Sequence, residues 1–378
     1  MSKTDLTTPL PKEKIWDLNY IKFLLEASAS SAKFGIIKLY EVREQVFNIR
    51  GNINVLLVSP FGTGKSAQIF NVQKMKVERA TSLSFPGLIG SISRDGQLII
   101  GSCFKAGGTL LILDEAQNIG IETKNAMNAL MEWPHFYKRV LGYKINMFVK
   151  KRAKGGAAWI KGSENEFEIY SKFSCIASTM HISLQNPIEQ AWASRFMLVR
   201  MRADRDYMKK LLTGETIYEI NPLNVKVKVF TFPEYLKFIE YYFQRFDSSY
   251  WADVFSRREN EFGYVARNAG DFVRLAAFTV ALNGGTEITF EDVKNVFDKF
   301  FDQSMYNIMM GPLSHQEYEI LNNMDKTEED MAALLGMTQQ NISRYITNLQ
   351  KKGLLVKKEE AKIIEKGEPW VPLAKPLE

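Results

Sequence analysis

A chain of 378 residues exceeds what one ordinary core accommodates, and its 46% hydrophobic content excludes a disordered polymer, so two or three packed domains are expected. No apolar run approaches the roughly 20 residues that span a bilayer, and Met1 to Lys14 is polar without a signal-peptide core, which reads as a soluble, unexported protein. The net charge of +6 favours a polyanionic partner; the two cysteines, Cys103 and Cys175, lie in apolar segments without a second Cys or His at ligand spacing and read as buried thiols, not as a zinc site.

Residues 1 to 14 are polar and proline-punctuated and read as a loose tail. From Ile15 to Val46 the apolar spacing predicts helix, first through Ile15, Leu18, Ile21, Leu24 and Leu25, then through Ile36, Ile37, Tyr40, Val42 and Val46 after a Ser/Ala/Gly break.

Val55 to Val58 is a buried-strand pattern that runs straight into Ser59, Pro60, Phe61, Gly62, Thr63, Gly64, Lys65 and Ser66, with helix predicted from Ala67 to Lys76. This is the strand, loop and helix context of a phosphate-binding loop. Gly62 and Gly64 let successive N–H groups turn inward as an anion nest, and a helix starting near Lys65 adds its positive end. Lys65 reaches nucleotide phosphates and the Ser66 hydroxyl ligates Mg²⁺, while Ser59 stands where the general pattern has its first glycine.

Leu83 to Gly87 breaks the helix, and Leu88 to Ile100 alternates about the Asp95-Gly96 turn, which predicts a hairpin interrupting the helix that follows the loop. Thr109 to Glu115 is then a buried strand ending in two carboxylates, 49 positions after Lys65 (114 minus 65). In a nucleotide enzyme Asp114 holds Mg²⁺ through water and Glu115 polarises the attacking water.

After a helix over Asn125 to Met131, the chain turns basic at Lys138, Arg139, Lys144, Lys150, Lys151, Arg152, Lys154 and Lys161, around Gly155-Gly156 and with Trp159 nearby. Strand patterns at Ile145 to Val149 and Phe167 to Tyr170 make this a long hairpin with a basic tip. Cations interleaved with an aromatic suit a nucleic-acid backbone, with Trp159 available for stacking; a solvated charged hairpin is the plain alternative.

Phe173 to Ser178 reads as another strand, followed by Ser194-Arg195-Phe196 and a mostly helical stretch from Asp204 to about Met310. Arg267 and Arg274, 7 apart (274 minus 267), share nearly one helix face. In the tail, helices are predicted over Gln316 to Met324, from Thr327 to Leu335 with Gly336 as the stop, and from Thr338 to Lys352; Leu354 to Val356 and Lys362 to Ile364 look like wing strands. A winged helix-turn-helix would turn Gln339, Gln340, Ser343 and Arg344 toward a groove, and such modules also serve protein contacts.

In this order the pieces resemble the AAA+ ATPases, and among them the minichromosome maintenance (MCM) replicative helicases. The selective residues are Gly87-Leu88 through Arg94-Asp95-Gly96, Phe104 to Gly108 before the Asp114-Glu115 strand, Ser194-Arg195-Phe196, and Arg267 with Arg274-Leu275. The similarity spans roughly residues 35 to 300. It implies an α/β P-loop NTPase core over 35–203 with helix-2-insert and presensor β-hairpins, preceded by a tail and lead helix over 1–34. An α-helical lid over 204–310 and a C-terminal winged helix over 311–378 would follow.

The resemblance further implies an ATP and Mg²⁺ site whose cis half is Lys65, Ser66, Asp114 and Glu115. Arg195 resembles the arginine finger and Arg267 the second-sensor arginine, both acting in a neighbouring subunit's site, so a ring, most often hexameric, is implied. The hairpins carrying Arg94 and Lys150, Lys151, Arg152 and Lys154 would grip DNA in the central channel, with Gln340 and Arg344 as further DNA contacts. A cytoplasmic archaeal or bacterial setting follows, with a virus or plasmid as a possible source of the gene.

Three departures from the family stand out. The loop starts Ser59-Pro60-Phe61-Gly62 in place of Gly-Asp-Pro-Gly. Met180 takes the place of the first-sensor asparagine and cannot position a water, so Ser178 or Thr179 must substitute or hydrolysis is slow. The family's large N-terminal domain, with its oligonucleotide-binding fold, is not expected here. The leading expectation is a DNA-translocating ring helicase; the rivals are a MoxR-like protein-remodelling ATPase and a DNA-binding initiator or regulator that ATP switches.

Overall fold

The computed structural model describes residues 6–7, 18–32, 36–40, 47–70, 72, 75–81, 84–132, 135–182, 186–201, 205–214, 229–249, 251–252, 262–352 and 354–357. They fall in two compact units, one within 16–241 and 263–312, the other within 1–15, 242–262 and 313–378. In chain order the first elements are β1 (Leu6–Thr7), α1 (Leu18–Ser31), β2 (Ile36–Tyr40), β3 (Phe47–Arg50), β4 (Val55–Val58), α2 (Lys65–Phe70), β5 (Val77–Thr81), α3 (Phe85–Leu88), β6 (Gly90–Ile92), β7 (Leu98–Ile100), α4 (Ser102–Lys105) and β8 (Leu110–Asp114). There follow α5 (Ile121–Met131), β9 (Tyr137–Arg152), β10 (Ala158–Ser171), β11 (Ser174–Thr179), α6 (Pro187–Ala193), β12 (Met197–Arg200), α7 (Arg205–Leu212), β13 (Val229–Thr231) and α8 (Phe232–Asp247). The last are α9 (Phe262–Leu282), β14 (Glu287–Ile288), α10 (Phe290–Met310), α11 (His315–Asn322), α12 (Glu328–Leu335), α13 (Gln339–Lys351) and β15 (Val356–Lys357).

The larger unit is a mixed α/β structure around a five-stranded parallel sheet in the order β12-β4-β11-β8-β5. Every residue of β4, β8, β11 and β12 is buried, as expected of parallel strands covered on both faces. One cover is α1, whose small residues Ala27, Ser28, Ala29, Ser30 and Ser31 are all shielded from solvent and allow a close approach. Its hydroxyls enter the sheet: Ser28 donates to the Ile53 carbonyl (2.8 Å), and Ser31 Oγ accepts from the Ile53 amide (2.8 Å) and contacts Ser174 Oγ (2.9 Å).

Two expectations are corrected here. Helix was predicted to run on to Lys76, yet α2 ends at Phe70 and Val77–Thr81 joins the sheet beside β8. As an edge strand with Glu78 and Arg79 and only Ala80 buried, β5 lacks the apolar run that marks its neighbours. The β6–β7 hairpin therefore interrupts the helical connection after β5, not the helix after the loop. Ile36–Tyr40, predicted helical, is a strand that pairs antiparallel with β3 and parallel with β13, in a four-stranded sheet of order β14-β13-β2-β3. Adjacent β-branched Ile36 and Ile37 suit a pleat, and the cross-strand pairing decides the outcome.

Both hairpins form. In β6–β7 the turn closes through Gly96 N–H to the Ser93 carbonyl (3.0 Å), with Gly96 at φ +77°, where a side chain is disfavoured. The β9–β10 hairpin is longer than predicted, with strands of 16 and 14 residues. The two touch at Gly162, where a Cβ would stand 1.9 Å from Ile92 Cδ1.

In the smaller unit the three tail helices form near their predicted bounds. Ser314 and Glu317 make a reciprocal capping box for α11, Thr327 caps α12, Gly336 ends it at φ +60°, and Thr338 caps α13. Ile342, Ile346 and Leu349 bury one stripe of α13. Leu6–Thr7, inside the segment read as a loose tail, pair antiparallel with Val356–Lys357. The predicted wing strand Lys362 to Ile364 lies outside the described residues. Among the described residues, no helix is long and apolar enough to cross a membrane.

Candidate active site

Because the central sheet is parallel, the turns after β4, β8 and β11 share its C-terminal edge, and the loop, the carboxylates and the Ser178-Thr179 corner meet there. β11 lies between β4 and β8, so its end stands between loop and carboxylates. The loop turns through Gly62 at φ +75° and Gly64 at φ +74°. At Gly64 a Cβ would also lie 2.4 Å from Leu211 Cδ2, so glycine is required there twice over. Ser59 Oγ contacts Thr63 Oγ1, Thr63 Oγ1 donates to the Pro60 carbonyl (3.1 Å), and Tyr207 OH donates to the Thr63 carbonyl (3.2 Å). Ser59 thus supplies a hydroxyl brace in the place of the general pattern's first glycine.

Lys65 Nζ donates to the carbonyls of Ser59 (2.6 Å) and Pro60 (2.5 Å), across the mouth of its own loop. Burial pushes its ammonium down to about 8, against the opposing attraction of Asp114. The Ser66 hydroxyl donates to Asp114 Oδ2 at 2.7 Å, and Ser178 Oγ donates to the other oxygen, Oδ1. Glu115 follows with φ +54° and ψ +45°, a left-handed conformation uncommon for a residue with a side chain. Its amide donates to Asp114 Oδ1 (3.1 Å) and Ser178 Oγ (3.2 Å), and its carboxylate accepts from Asn118 Nδ2 (3.2 Å).

These groups line a cleft of about 360 Å³ bounded by Phe61 to Ser66, Asp114, Glu115, Gln117, Ser178, Met180, Leu211 and Leu212. Of the residues predicted from sequence, Gly62, Thr63, Gly64, Lys65, Ser66, Asp114 and Glu115 are brought together here; Ser59 supports them from below. Thr179 is a correction: its hydroxyl turns away to the His181 carbonyl (2.9 Å), and Ser178 faces the cleft. Along a strand neighbouring side chains take opposite sides, so one position decides which hydroxyl is presented. Gln117 was missed. Its Oε1 accepts from the Met180 amide (3.2 Å), which places an amide side chain beside Glu115 with no motif to announce it.

The cleft fits a nucleotide with magnesium. A magnesium ion keeps several waters and needs only one or two protein oxygens besides the phosphates, and Ser66 Oγ with Asp114 provides that set. Exposed Phe61 and Leu212, 72% and 83% accessible, offer apolar surface at the rim for a base.

Arg195 and Arg267 stand elsewhere. Arg195 precedes β12, whose Met197 pairs with Val55 at the start of β4, and the Asn54 side chain donates to the Arg195 carbonyl (3.2 Å). It therefore lies at the N-terminal edge of the sheet, a strand length of about 13 Å from the edge that carries the loop. Arg195 Nε and Arg267 Nη1 lie 3.2 and 3.4 Å from the same Glu132 oxygen, and Arg267 also donates to Ser194 Oγ (3.0 Å). Burial alone would raise the Glu132 carboxyl, yet Arg50, Arg195, Arg267 and Arg274 together hold it below its ordinary value. Neither Arg195 nor Arg267 lines the cleft.

Arg94 is exposed on the β6–β7 turn, its guanidinium 5.8 Å from the Tyr143 ring centroid, and Lys150, Lys151, Arg152 and Lys154 are exposed at the tip of β9–β10. Trp159 is half-buried. Its ring stacks on Tyr170 (6.1 Å between centroids, 18° between planes), with Phe136 and Lys161 against it. Gln340 and Arg344 are exposed on α13, whereas Ser343 donates to Glu328. Cys103 and Cys175 are buried free thiols, and burial raises both above the ordinary range. No protein-family model matches the chain, and no curated protein does.

Proposed function

We propose that the chain is an ATP-hydrolysing, DNA-translocating ring motor of AAA+ type, with the MCM helicases as the family it resembles. The observation that carries the reading is the division of the catalytic groups between two edges of one sheet. Lys65, Ser66, Asp114 and Glu115 share a cleft at the C-terminal edge, while the Arg195–Arg267 pair stands at the N-terminal edge. Such a chain cannot complete its own site, and a second copy placed edge to edge supplies what is missing.

In this mechanism the loop amides and Lys65 orient the phosphates and offset their charge, Lys65 leaving the Ser59 and Pro60 carbonyls to do so. Ser66 and Asp114 would hold magnesium, which when bound withdraws charge from the phosphate oxygens. Glu115 orients and deprotonates the attacking water, and Gln117 is placed to hold that water or sense the phosphate. Arg195 of a neighbouring copy meets the charge that develops on the transferred phosphoryl group. The exposed cations of the two hairpins bind the DNA backbone.

Met180 at the first-sensor position favours one second reading, an initiator in which nucleotide binding switches assembly and Gln340 and Arg344 read a DNA site. Steady-state ATP turnover with and without DNA, for wild type beside Arg195→Ala, separates the two. A motor shows DNA-stimulated turnover that the arginine variant loses; a rate indifferent to both DNA and Arg195 overturns the motor.

A further inference from the structure

The β9–β10 hairpin separates its charges by position. Early in β9, Lys138 pairs with Glu166 (2.6 Å) and Glu168, and Arg139 with Glu122 (3.1 Å); on β10, Lys161, which stands opposite Lys150 in the register, pairs with Glu168 (2.6 Å). From the middle of β9 into the turn, Lys144, Lys150, Lys151, Arg152 and Lys154 have no carboxylate at ion-pair distance among the described residues. The cations without a carboxylate partner thus lie along the second half of β9 and in the turn that follows it.

The two faces of β9 differ as well. Leu141 and Ile145 are buried and Val149 packs against the same core, whereas Lys144, Asn146, Phe148, Lys150 and Arg152 occupy the alternate positions and are exposed. Phe148, 61% accessible, therefore stands exposed in the middle of a basic row. A large aromatic flanked on both sides along the strand by unpaired cations, Lys144 before it and Lys150 and Arg152 after it, suits a ligand with alternating phosphates and planar apolar faces.

We propose that this face of β9 is a base-stacking site for single-stranded DNA, in which Phe148 takes the face of an unpaired base and Lys144, Lys150 and Arg152 hold the flanking phosphates. It rests on the reading of the hairpin as the DNA-gripping element and adds the form of DNA. A paired base has both faces covered within the duplex stack, so only an unpaired one offers Phe148 a surface; the cations alone would serve either form.

The test uses the full chain and an oligothymidylate carrying one 2-aminopurine, whose fluorescence falls on stacking, beside a duplex of the same length. Phe148→Ala is expected to lower single-strand affinity about tenfold and to abolish the quenching, with duplex affinity unchanged, while Phe148→Tyr retains both. An unchanged thermal midpoint shows that the exposed position carries no packing. Wild-type affinity and quenching in Phe148→Ala overturn the site, as does an equal loss for single strand and duplex. A wild type that does not hydrolyse ATP would strike the motor reading and leave the stacking result standing; a hydrolysing chain indifferent to Phe148 would strike the stacking site alone.

Discussion

The Arg195 guanidinium lies 3.2 Å from the Glu132 carboxylate, and the same oxygen receives Arg267. Glu132 follows the last turn of α5, so one carboxylate ties a residue ahead of β12 to a residue of α9. Two arginines held this way form a single preorganised cationic pair, spared much of the reordering that two free side chains would need.

Glu132→Ala is therefore expected to reduce ATP turnover roughly tenfold to a hundredfold, the scale of a misplaced catalytic group, while nucleotide affinity of the cis cleft stays as in wild type. Turnover measured beside equilibrium nucleotide binding makes the distinction. A loss of affinity equal to the loss of turnover would show that Glu132 only supports the fold.

Ser178 and Thr179 are adjacent hydroxyls with opposite fates. Ser178 bonds Asp114 and receives the Glu115 amide, whereas Thr179 bonds the His181 carbonyl. Ser178→Ala should cost turnover roughly tenfold or more by releasing the carboxylate from its orientation, and Thr179→Val should change turnover little. Single-turnover rates for the two variants decide it, and a larger effect at Thr179 would reverse the assignment.

Gly162 and Ile92 mark where the two hairpins touch. A methyl at Gly162 would stand 1.9 Å from Ile92 Cδ1, so Gly162→Ala should destabilise by about 1–3 kcal/mol through overpacking. Ile92→Val removes that methyl, and the double variant should recover part of the loss. Denaturant midpoints for the four members of this cycle test the contact; strict additivity would deny it.

Lys65 contributes a pH dependence of its own. Its ammonium is held at about 8 in the folded chain against an ordinary value of 10.5, so between these values the unfolded chain binds more protons. Stability from this group consequently rises as pH climbs from about 8 to 10.5. A phosphate placed beside Lys65 restores the charged form, so nucleotide binding near pH 8.5 should take up protons. Calorimetric titration in two buffers of different ionisation enthalpy measures that uptake, and Lys65→Ala should remove it.

Much of the site was legible because its signals are local. A buried strand followed by Gly62, Gly64, Lys65 and Ser66 describes one turn, and Asp114-Glu115 at the end of another apolar run describes a second. Asp95-Gly96 placed a hairpin turn, and the caps at Thr327 and Thr338 placed two helices, because each acts within a few residues of itself. What was misread depended on distant partners. Ile36–Tyr40 is a strand because Phe47–Arg50 and Val229–Thr231 flank it, and Val77–Thr81 is one because Leu110–Asp114 offers an edge.

The sequence by itself determined the glycine turn after Val55–Val58, the strand that ends in two carboxylates, the two hairpins and the basic character of one of them, since charge, alternation and turn chemistry are written along the chain. Only the tertiary structure decided that Ser178 and not Thr179 faces the cleft, that Gln117 joins it, and that Arg195 and Arg267 share Glu132 at the opposite edge. It likewise set Trp159 in an aromatic cluster, half-buried, and left Phe148 exposed. The reason is physical: which side of a strand faces a neighbour, and which charge finds a counter-charge, are set by the elements packed alongside, and those lie tens of residues away in the chain.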